Sequence, residues 1–425
     1  AITTTDPDTG AVLTITAPTL PAWLTQVDNG NGTATLSGTP TNAEVGGHNV
    51  TLQVADQGVL TDTQAFTINV TNTNDAPVIT SDGGGAAANI NVGENTSAVT
   101  TVTSTDVDGG TPSYSITGGA DAALFAINSS TGALTFNAAP DFETPGDVGG
   151  NNVYDVTVQV SDGNGGTDTQ AISVTVTNVN ETPTDIAPNS FAINENVDTT
   201  GGVSLGVLTT SDPDSGETST YAIQPIGDGA FFSIGGAGSD ELILDDGVLN
   251  HEAKPSYSVT VRATDSGANT YDEVLTVTVN DLNEAPSFTS GAVTGATEDV
   301  LYSYAITTTD PDTGAVLTIT APTLPAWLTL VDNGNGTATL SGTPTNAEVG
   351  GHNVTLQVAD QGVLTDTQAF TVTVTNANDA PVITSDGGGA AANINVGENT
   401  SAVTTVTSTD VDGGTPSYSI TGGAD

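Results

Sequence analysis

The sequence has no cysteine and no methionine, and only two of its 425 residues, Lys254 and Arg262, are basic. Without cysteine, disulfides and thiol chemistry are excluded. The shortage of positive charge argues against nucleic acid and anionic membrane surfaces as partners, because both require clustered lysine and arginine. No run approaches the roughly 18 apolar residues of a membrane-spanning helix, and no signal peptide is visible.

Acidic residues dominate the charge. Fifty carboxylates against two basic residues give a formal net charge of -48. Such an imbalance disfavours a compact state through self-repulsion unless cations supply the missing positive charge. The hydrophobic fraction is 36% and lies in alternating runs, which favours a folded chain over a disordered one. Since disulfides are absent, bound metal is the candidate source of additional stability.

The chain contains a long internal repeat. Residues 1–121 recur as 305–425 with four differences, at positions 26, 68, 69 and 73 of the first copy. Within the repeat, an acidic phrase closed by proline recurs about every hundred residues, as in NTNDAP and NVNETP. These phrases predict three complete domains, 77–182, 183–285 and 286–380. They also predict partial domains at the two ends, 1–76 and 381–425, as in a window cut from a longer array.

Apolar residues alternate with a period of two, and helical periodicity is absent. In YDVTVQVSD, for example, Val156, Val158 and Val160 are expected to face a core while the residues between them face water. Glycine-rich and Asp-Pro turns separate such runs, which is typical of antiparallel sandwiches of short strands. A domain of about 100 residues closes one sandwich. The predicted fold class is all-β, in a tandem array.

Three further acidic phrases recur in the same order. An early Glu opens each domain, an Asp-x-Asp follows, and a late Asp comes directly after a long strand. Each phrase alone is explained by a turn, since Asp side chains bond their own backbone. Their fixed recurrence favours a calcium site instead, because calcium takes six to eight oxygen ligands. The halophilic alternative, in which acidity only maintains solubility, predicts scattered acids.

The combined pattern resembles the cadherin family, and most closely the bacterial cadherin-like repeats of giant RTX-type adhesins. The resemblance covers essentially the whole chain and implies cadherin-like, Ig-like Greek-key β-sandwich domains with calcium bound between them. The segments 1–76 and 286–380 carry LPAWLT and TPTNAEVGGH instead of an Asp-x-Glu phrase and resemble the dystroglycan-type variant. Trp23 and Trp327 of these segments are expected in the core rather than in a sugar-binding role.

The resemblance also implies calcium ligands at four junctions, each named here by its closing proline. At the Pro183 junction they are Glu94, Asp141, Glu143, Asn178, Asn180, Glu181, Asp212, Asp214 and Asp265. At the Pro286 junction they are Glu195, Glu252, Asp281, Asn283, Glu284, Asp310, Asp312 and Asp360, with Asn250 where the family has Asp.

The two junctions that follow the variant domains have shorter sets. At the Pro77 junction the implied ligands are Asn72, Asn74, Asp75, Asp106, Asp108 and Asp162. At the Pro381 junction they are Glu298, Asn376, Asn378, Asp379, Asp410 and Asp412. Because the variant domain lacks an Asp-x-Glu, the Pro381 junction is expected to bind fewer ions and to act as a hinge.

An enzymatic function is not expected. The three histidines belong to no Ser-His-Asp set or zinc motif, and paired carboxylates that could suggest glycoside hydrolysis recur at the junctions, where metal explains them better. The sequence predicts an extracellular, calcium-rigidified extender of a bacterial surface or secreted adhesin, acting in cell adhesion or biofilm. Its ligand on a cell surface or matrix would be bound by domains outside this segment. The alternative is a subunit of a filament, sheath or surface layer, whose chains associate laterally.

Overall fold

The regular structure of the chain is β-strand. The computed structural model describes residues 1–423, so the last two residues of the predicted segment 381–425 lie outside the described part. Across residues 1–423 there are strands and five short 3₁₀ turns but no α-helix. Accordingly, no helix in this range is long and apolar enough to span a membrane. The all-β prediction is confirmed.

The long strands show the expected alternation. In the strand Val153–Ser161, Val156, Val158 and Val160 are buried and the residues between them are partly exposed. β-branched side chains suit such a half-buried, pleated surface. Burying each valine contributes about 1.5–3 kcal/mol relative to leaving it exposed. The alternation of apolar and polar residues in the sequence therefore gives the strand one apolar face and one polar face.

The chain divides into two compact units. The first unit comprises residues 1–182 together with the short stretches 212–217 and 266–269. The second unit comprises 183–211, 218–265 and the described residues from 270 onward.

The first unit contains two sets of sheets. In 1–76, two three-stranded sheets have the strand orders Ile2–Thr3, Thr33–Ser37, Thr25–Asp28 and Thr14–Thr19, Gly46–Ala55, Thr61–Val70, with a 3₁₀ turn at Asn42–Glu44. In 77–182 the strand order of the four-stranded sheet is Ser113–Gly118, Val153–Ser161, Thr167–Thr177, Ala87–Gly93. The strand order of the three-stranded sheet is Phe125–Ile127, Ala133–Phe136, Ala98–Thr101. A ladder of Ser104–Thr105 with Val78–Ile79 and a 3₁₀ turn at Ala122–Leu124 complete it.

The second unit repeats this arrangement. In 183–285 the strand order of the four-stranded sheet is Ser190–Asn194, Thr270–Asn280, Ser256–Thr264, Thr220–Gly227. The strand order of the three-stranded sheet is Val203–Val207, Glu241–Leu244, Phe232–Gly235. In addition, Asp185–Ala187 pairs with Thr209–Ser211, and a 3₁₀ turn spans Gly229–Phe231. In 286–380 two four-stranded sheets have the orders Ser287–Phe288, Tyr302–Thr309, Thr337–Gly342, Thr329–Asp332 and Gly295–Thr297, Thr365–Thr375, Gly350–Ala359, Thr318–Thr323, with a 3₁₀ turn at Asn346–Glu348. Beyond it, Val382–Ile383 pairs with Ser408–Thr409, and a 3₁₀ turn spans Ser385–Gly387.

One strand pair in each complete sandwich is parallel, a departure from the purely antiparallel expectation. Ala87–Gly93 runs parallel to Thr167–Thr177, so the first long strand of the segment closes against its last. The equivalent strands of 183–285 and 286–380 pair in the same way. The short strand Val78–Ile79 belongs to another sheet, where it pairs antiparallel with Ser104–Thr105. The opening stretch of residues 77–182 therefore contributes to two different sheets, and the parallel pair brings the early Glu and the linker to one end.

Each sandwich encloses its own apolar core. Val158, Val261 and Leu340 are fully buried at the centres of the three larger cores, and a smaller core surrounds Val50. Trp327 packs at the edge of the 286–380 core, where its ring meets Tyr302 edge-to-face, with the ring centroids 5.8 Å apart. The tryptophan is partly buried there, which agrees with the core role expected for it.

The segment after Pro381 shows what the sandwich requires. It repeats the sequence of residues 77–121, yet Val92 is 8% exposed and its copy Val396 is 44% exposed. Tyr114 is 6% exposed and its copy Tyr418 is 54% exposed. In 77–182 the strand pairing with the region of Val92 is Thr167–Thr177, which has no counterpart in the repeated stretch. Residues of the copy are therefore more exposed than their counterparts in 77–121, in a stretch without an equivalent of the closing strand.

Candidate metal centres

Parallel pairing places the early Glu beside the linker. Gly93 pairs with Thr177, so Glu94 and Asn178 leave the sheet together. The carboxylate of Glu94 is almost fully buried and accepts hydrogen bonds from the backbone N–H groups of Val179 (2.9 Å) and Phe142 (2.7 Å). Glu94 therefore ties the linker to the loop that carries the DFE phrase.

Four carboxylates converge at the Pro183 junction. One oxygen from each lies within 4.8 Å of the others, in the set Glu94, Glu143, Glu181 and Asp214. Burial of its carboxyl, together with the neighbouring negative charges, raises the pKa of Glu143. No cationic side chain belongs to this set, so the arrangement is repulsive in the absence of a bound cation.

The other predicted residues of this junction lie in different settings. Asp141 is exposed and accepts a turn hydrogen bond from Thr144 N–H at 2.9 Å, so it lies outside the carboxylate cluster. The amide of Asn178 donates to Glu143 at 3.2 Å. Asn180 and Glu181 accept at their carbonyl oxygens from the amide of Asn269, at 3.2 and 2.9 Å. Asp265 is buried at the end of its strand.

The Pro286 junction repeats the cluster with three carboxylates. Oxygens of Glu195, Glu252 and Glu284 lie within 4.8 Å of one another. Glu195 is 1% exposed and accepts from the N–H groups of His251 (2.8 Å) and Leu282 (2.7 Å). Burial, reinforced by the charges of Glu195, Asp312 and Glu252, raises the pKa of Glu284.

The Pro286 junction contains further polar groups. His251 lies close to Glu252 and to Asp281 of the linker. Asn250, for which the resemblance implies Asp, accepts from Ala253 N–H at 2.6 Å as part of a turn. Asn283 donates its amide to Asp360 at 2.6 Å, and burial followed by the charges of Asp312 and Asp360 raises the pKa of Asp310.

The Pro77 junction shows the same linker contacts. The amide of Asn74 donates to Asp162 at 2.6 Å and lowers the pKa of that carboxyl, and the N–H of Asp75 donates to Asp108 at 2.5 Å. Asn72 is exposed. These contacts join the linker to the turn and strand end that follow it in sequence.

At the Pro381 junction, oxygens of Glu298, Asp379 and Asp412 lie within 4.8 Å of one another. The N–H of Asp379 donates to Asp412. The amides of Asn376 and Asn378 donate to the carbonyl oxygens of the residues that follow them, at 3.2 and 3.0 Å. Three carboxylates meet here although the domain has no Asp-x-Glu phrase.

The Asp-x-Asp phrases form turns, and three of them also leave a buried oxygen without a hydrogen-bond partner. The first Asp accepts from the N–H of the second at 2.8–3.0 Å through Oδ1, at Asp106, Asp212, Asp310 and Asp410. The Oδ2 atoms of Asp106, Asp212 and Asp310 are buried and have no hydrogen-bond partner. The turn interpretation and the ligand interpretation are therefore compatible, because they concern different oxygens of the same carboxylate.

Two family models match parts of the chain. The "Cadherin domain" model matches residues 88–178, and the "Putative Ig domain" model matches residues 1–71 and 285–375. Among solved structures, the extracellular domain of protocadherin gamma-B4 superposes with a TM-score of 0.52 at 22% identity, over 94% of this chain and 68% of that one. The fold of the chain is a tandem array of cadherin-like β-sandwich domains.

The cadherin-like array resembles protocadherin ectodomains. Protocadherin gamma-B5 of Pan troglodytes is 29% identical over 254 residues, which cover 57% of this chain and 26% of that protein. Protocadherin gamma-B4 of Homo sapiens is 27% identical over 257 residues, which cover 58% and 27%. The array thus spans about a quarter of the length of these curated relatives.

Orphaned carboxylate oxygens test whether the array suits calcium. Buried oxygens without a hydrogen-bond partner occur in seven carboxylates of the described residues, all within the implied ligand sets: Asp106, Glu143, Asp212, Asp214, Glu252, Glu284 and Asp310. Leaving a buried acceptor unsatisfied costs about 1–3 kcal/mol, and more for a charged group. A hard divalent cation satisfies such oxygens, since calcium prefers carboxylate, amide and backbone oxygen ligands. The residues present fit calcium.

Sequence reasoning missed several polar groups at these sites. Asn95 and Asn196 follow the early Glu with positive φ and donate their amides to the linker carboxylates Glu181 and Glu284, both at 2.5 Å. The Glu-Asn dipeptide was the available signal, since Asn tolerates the left-handed conformation. Asn42 and Asn346 were missed as well, and no single-sequence pattern points to them.

Proposed function

We propose that this chain is an extracellular, calcium-rigidified extender of a bacterial adhesin that acts in cell adhesion or biofilm. The single observation behind the proposal is that buried, partnerless carboxylate oxygens recur at successive junctions in a chain with two basic residues. Calcium ligated from both sides of a linker converts the repulsion between acidic ends into attraction and restricts the linker. Cadherin domains bind calcium in general, which supports the assignment.

The proposal divides the chain at Pro77, Pro183, Pro286 and Pro381. Proline fixes φ and offers no N–H, so each linker ends where the preceding strand cannot continue. The residues that would hold calcium at the Pro183 junction are Glu94, Glu143, Glu181 and Asp214 with the Asp212 turn, and the other junctions use their equivalents. Extracellular modules of this type bind at about 10⁻⁴–10⁻³ M, so millimolar calcium populates the sites.

The bacterial origin is proposed from the sequence. Two copies of a 121-residue stretch differ at four positions, and the chain has no cysteine. Both features suit a long array built by duplication and stabilised by metal in place of disulfides. The adhesion ligand would then be bound elsewhere, with these domains setting its distance from the cell.

Small-angle scattering and thermal unfolding of the whole chain test this function. Both are measured with chelator, with calcium and with magnesium at fixed ionic strength. We expect calcium to extend the particle and raise the melting temperature; a site at 100-fold excess over its dissociation constant adds about 2.7 kcal/mol. Equal effects of magnesium and calcium, or no effect of either, would contradict the proposal. Growth of the particle with protein concentration would instead favour the filament alternative.

A further inference from the structure

The two variant domains place one asparagine at the start of an identical turn. Asn42 begins the 3₁₀ turn Asn42–Glu44 and Asn346 begins Asn346–Glu348, and in both turns a Thr and a Glu form a reciprocal capping box. The box satisfies the backbone donors at the start of the turn, so the position of each asparagine is fixed locally. The turn occupies the stretch of sequence where other domains carry the Asp-x-Glu phrase.

Both asparagines point into a junction. The Nδ2 of Asn42 lies 2.6 Å from Oδ2 of Asp75 and 3.2 Å from Oδ1 of Asp108. The Nδ2 of Asn346 lies 2.9 Å from Oδ1 of Asp412 and 3.4 Å from Oδ1 of Asn376. Two copies of the chain's variant domain thus make the same kind of contact.

These partners identify the position that the asparagines take. At the Pro183 junction, Glu143 lies near Glu181 and Asp214 and accepts from Asn178. Asp75, Asp108 and Asn376 are the corresponding residues of the linkers and Asp-x-Asp phrases at the other two junctions. The asparagine therefore stands where Glu143 stands, with an amide in place of a carboxylate.

We propose that Asn42 and Asn346 are calcium ligands, each through its side-chain Oδ1, at the junctions that follow the variant domains. This inference rests on the proposed calcium function. Without a cation, the amide N–H₂ donates to the surrounding carboxylates. A half-turn about the Cβ–Cγ bond exchanges nitrogen and oxygen with little change of shape, so the same side chain offers an acceptor when calcium is bound.

An amide ligand creates a second class of junction. It removes one negative charge from the site, and ligand charge is one of the properties that tune calcium affinity. It also supplies a hydrogen-bond donor where Glu143 and Glu252 each add a further negative charge. The junctions at Pro77 and Pro381 therefore bind calcium more weakly than those at Pro183 and Pro286, and depend on it less for their order.

The chain carries its own reporter for the variant junctions. Its two tryptophans both lie in the variant domains. The ring centroid of Trp327 is 5.8 Å from that of His352, whose Nε2 lies 2.6 Å from the carbonyl oxygen of Glu348 in the asparagine turn. Trp23 and His48 repeat this contact, with ring centroids 5.7 Å apart. Tryptophan fluorescence thus assigns a calcium-binding step to these junctions.

The test compares the whole chain with its Asn42→Ala/Asn346→Ala and Asn42→Glu/Asn346→Glu variants. Calcium bound at a series of free concentrations is measured by equilibrium dialysis, and tryptophan fluorescence is followed in parallel. We expect the alanine variant to lose about tenfold in affinity at the weaker sites and the glutamate variant to gain about tenfold, with the tighter sites unchanged. Asn49→Ala/Asn353→Ala is the matched control, since these exposed asparagines lie on strands of the same two domains.

Three outcomes separate the possibilities. If the alanine variant keeps its affinity within twofold while the wild type binds calcium, the asparagines are hydrogen-bond donors only and the inference fails, although the proposed function stands. If the alanine variant binds more tightly, the amide competes with calcium, and the inference fails equally. If the wild type binds no calcium by dialysis, the proposed function itself fails.

Discussion

Gly93 lies directly opposite Thr177 in a parallel ladder, and the residues that follow them, Glu94 and Asn178, start the junction side by side. The two are 84 positions apart in the sequence. The closing strand of the sandwich therefore determines where the early glutamate meets the linker. Much of the candidate metal centre depends on this one pairing.

Glu94→Gln should weaken the first unit even without calcium. Both oxygens of Glu94 accept backbone N–H groups, and glutamine keeps only one acceptor, so one buried donor loses its partner. We expect a loss of about 1–3 kcal/mol, seen as faster amide hydrogen exchange at Phe142 and Val179 in chelator. The matched control is Glu398→Gln, the exposed copy of the same residue, which should leave exchange unchanged. Equal effects of the two substitutions would contradict the role of Glu94.

Asp214→Asn should separate calcium binding from folding. Asp214 is buried, its Oδ2 accepts from Glu181 N–H at 2.6 Å, and its Oδ1 has no partner. Asparagine can still accept that bond while relieving repulsion, so stability in chelator should stay equal or rise. Calcium affinity at one site should fall about tenfold or more, because ligand charge is lost. Calorimetric titration measures the affinity, with Asp8→Asn, an exposed residue in the same phrase, as control.

The raised pKa values of Glu143 and Glu284 predict the pH dependence. A carboxyl whose pKa is higher in the folded chain stabilises it at pH below the unfolded value, and this contribution is lost as the pH rises through the folded value. In chelator, Glu143→Gln/Glu284→Gln should therefore melt above the wild type at pH 7, and the difference should shrink as the pH falls toward 4.

Asp272→Asn provides the opposite sign. The hydrogen bonds from Arg262 lower the pKa of Asp272, so its stabilisation is present above the unfolded pKa and is lost as the pH falls. This variant should melt below the wild type at pH 7 and approach it in acid. The same trend in both variants would show that net charge, rather than the local environment, sets the pH response.

Lys254→Met should loosen residues 183–285. The ammonium of Lys254 lies 2.7 Å from Asp228 and about 4 Å from the ring centroids of Phe231 and Tyr257. Losing the ion pair and the cation–π contacts should cost about 1–2 kcal/mol. Hydrogen exchange in the strand Ser256–Thr264 measures the effect. Arg262→Gln, which breaks a more exposed pair, should cost less than about 1 kcal/mol, and a larger effect there would reverse the expected order.

The sequence was sufficient to predict the strands and to single out most of the carboxylates that come together at the junctions. The alternation of apolar and polar residues around Val156, Val158 and Val160 is a local property of the sequence. The acidic phrases are recognisable because they recur in a fixed order. The parallel pairing of Gly93 with Thr177 could not be predicted in this way, because it depends on contacts across most of a domain. For the same reason Asn42 could not be predicted, since its partner Asp75 lies in the linker, 33 positions away, and its partner Asp108 lies in the following segment.

The parallel pairing of the first long strand with the last strand also decides how each sandwich bears tension. A pull on the chain enters by one strand and leaves by the other in opposite directions, so the backbone hydrogen bonds between them are loaded in shear and resist together. That ladder pairs seven residues in 77–182, five in 183–285 and three in 286–380. Under force spectroscopy, the variant domain 286–380 should therefore unfold at the lowest force of the three complete domains.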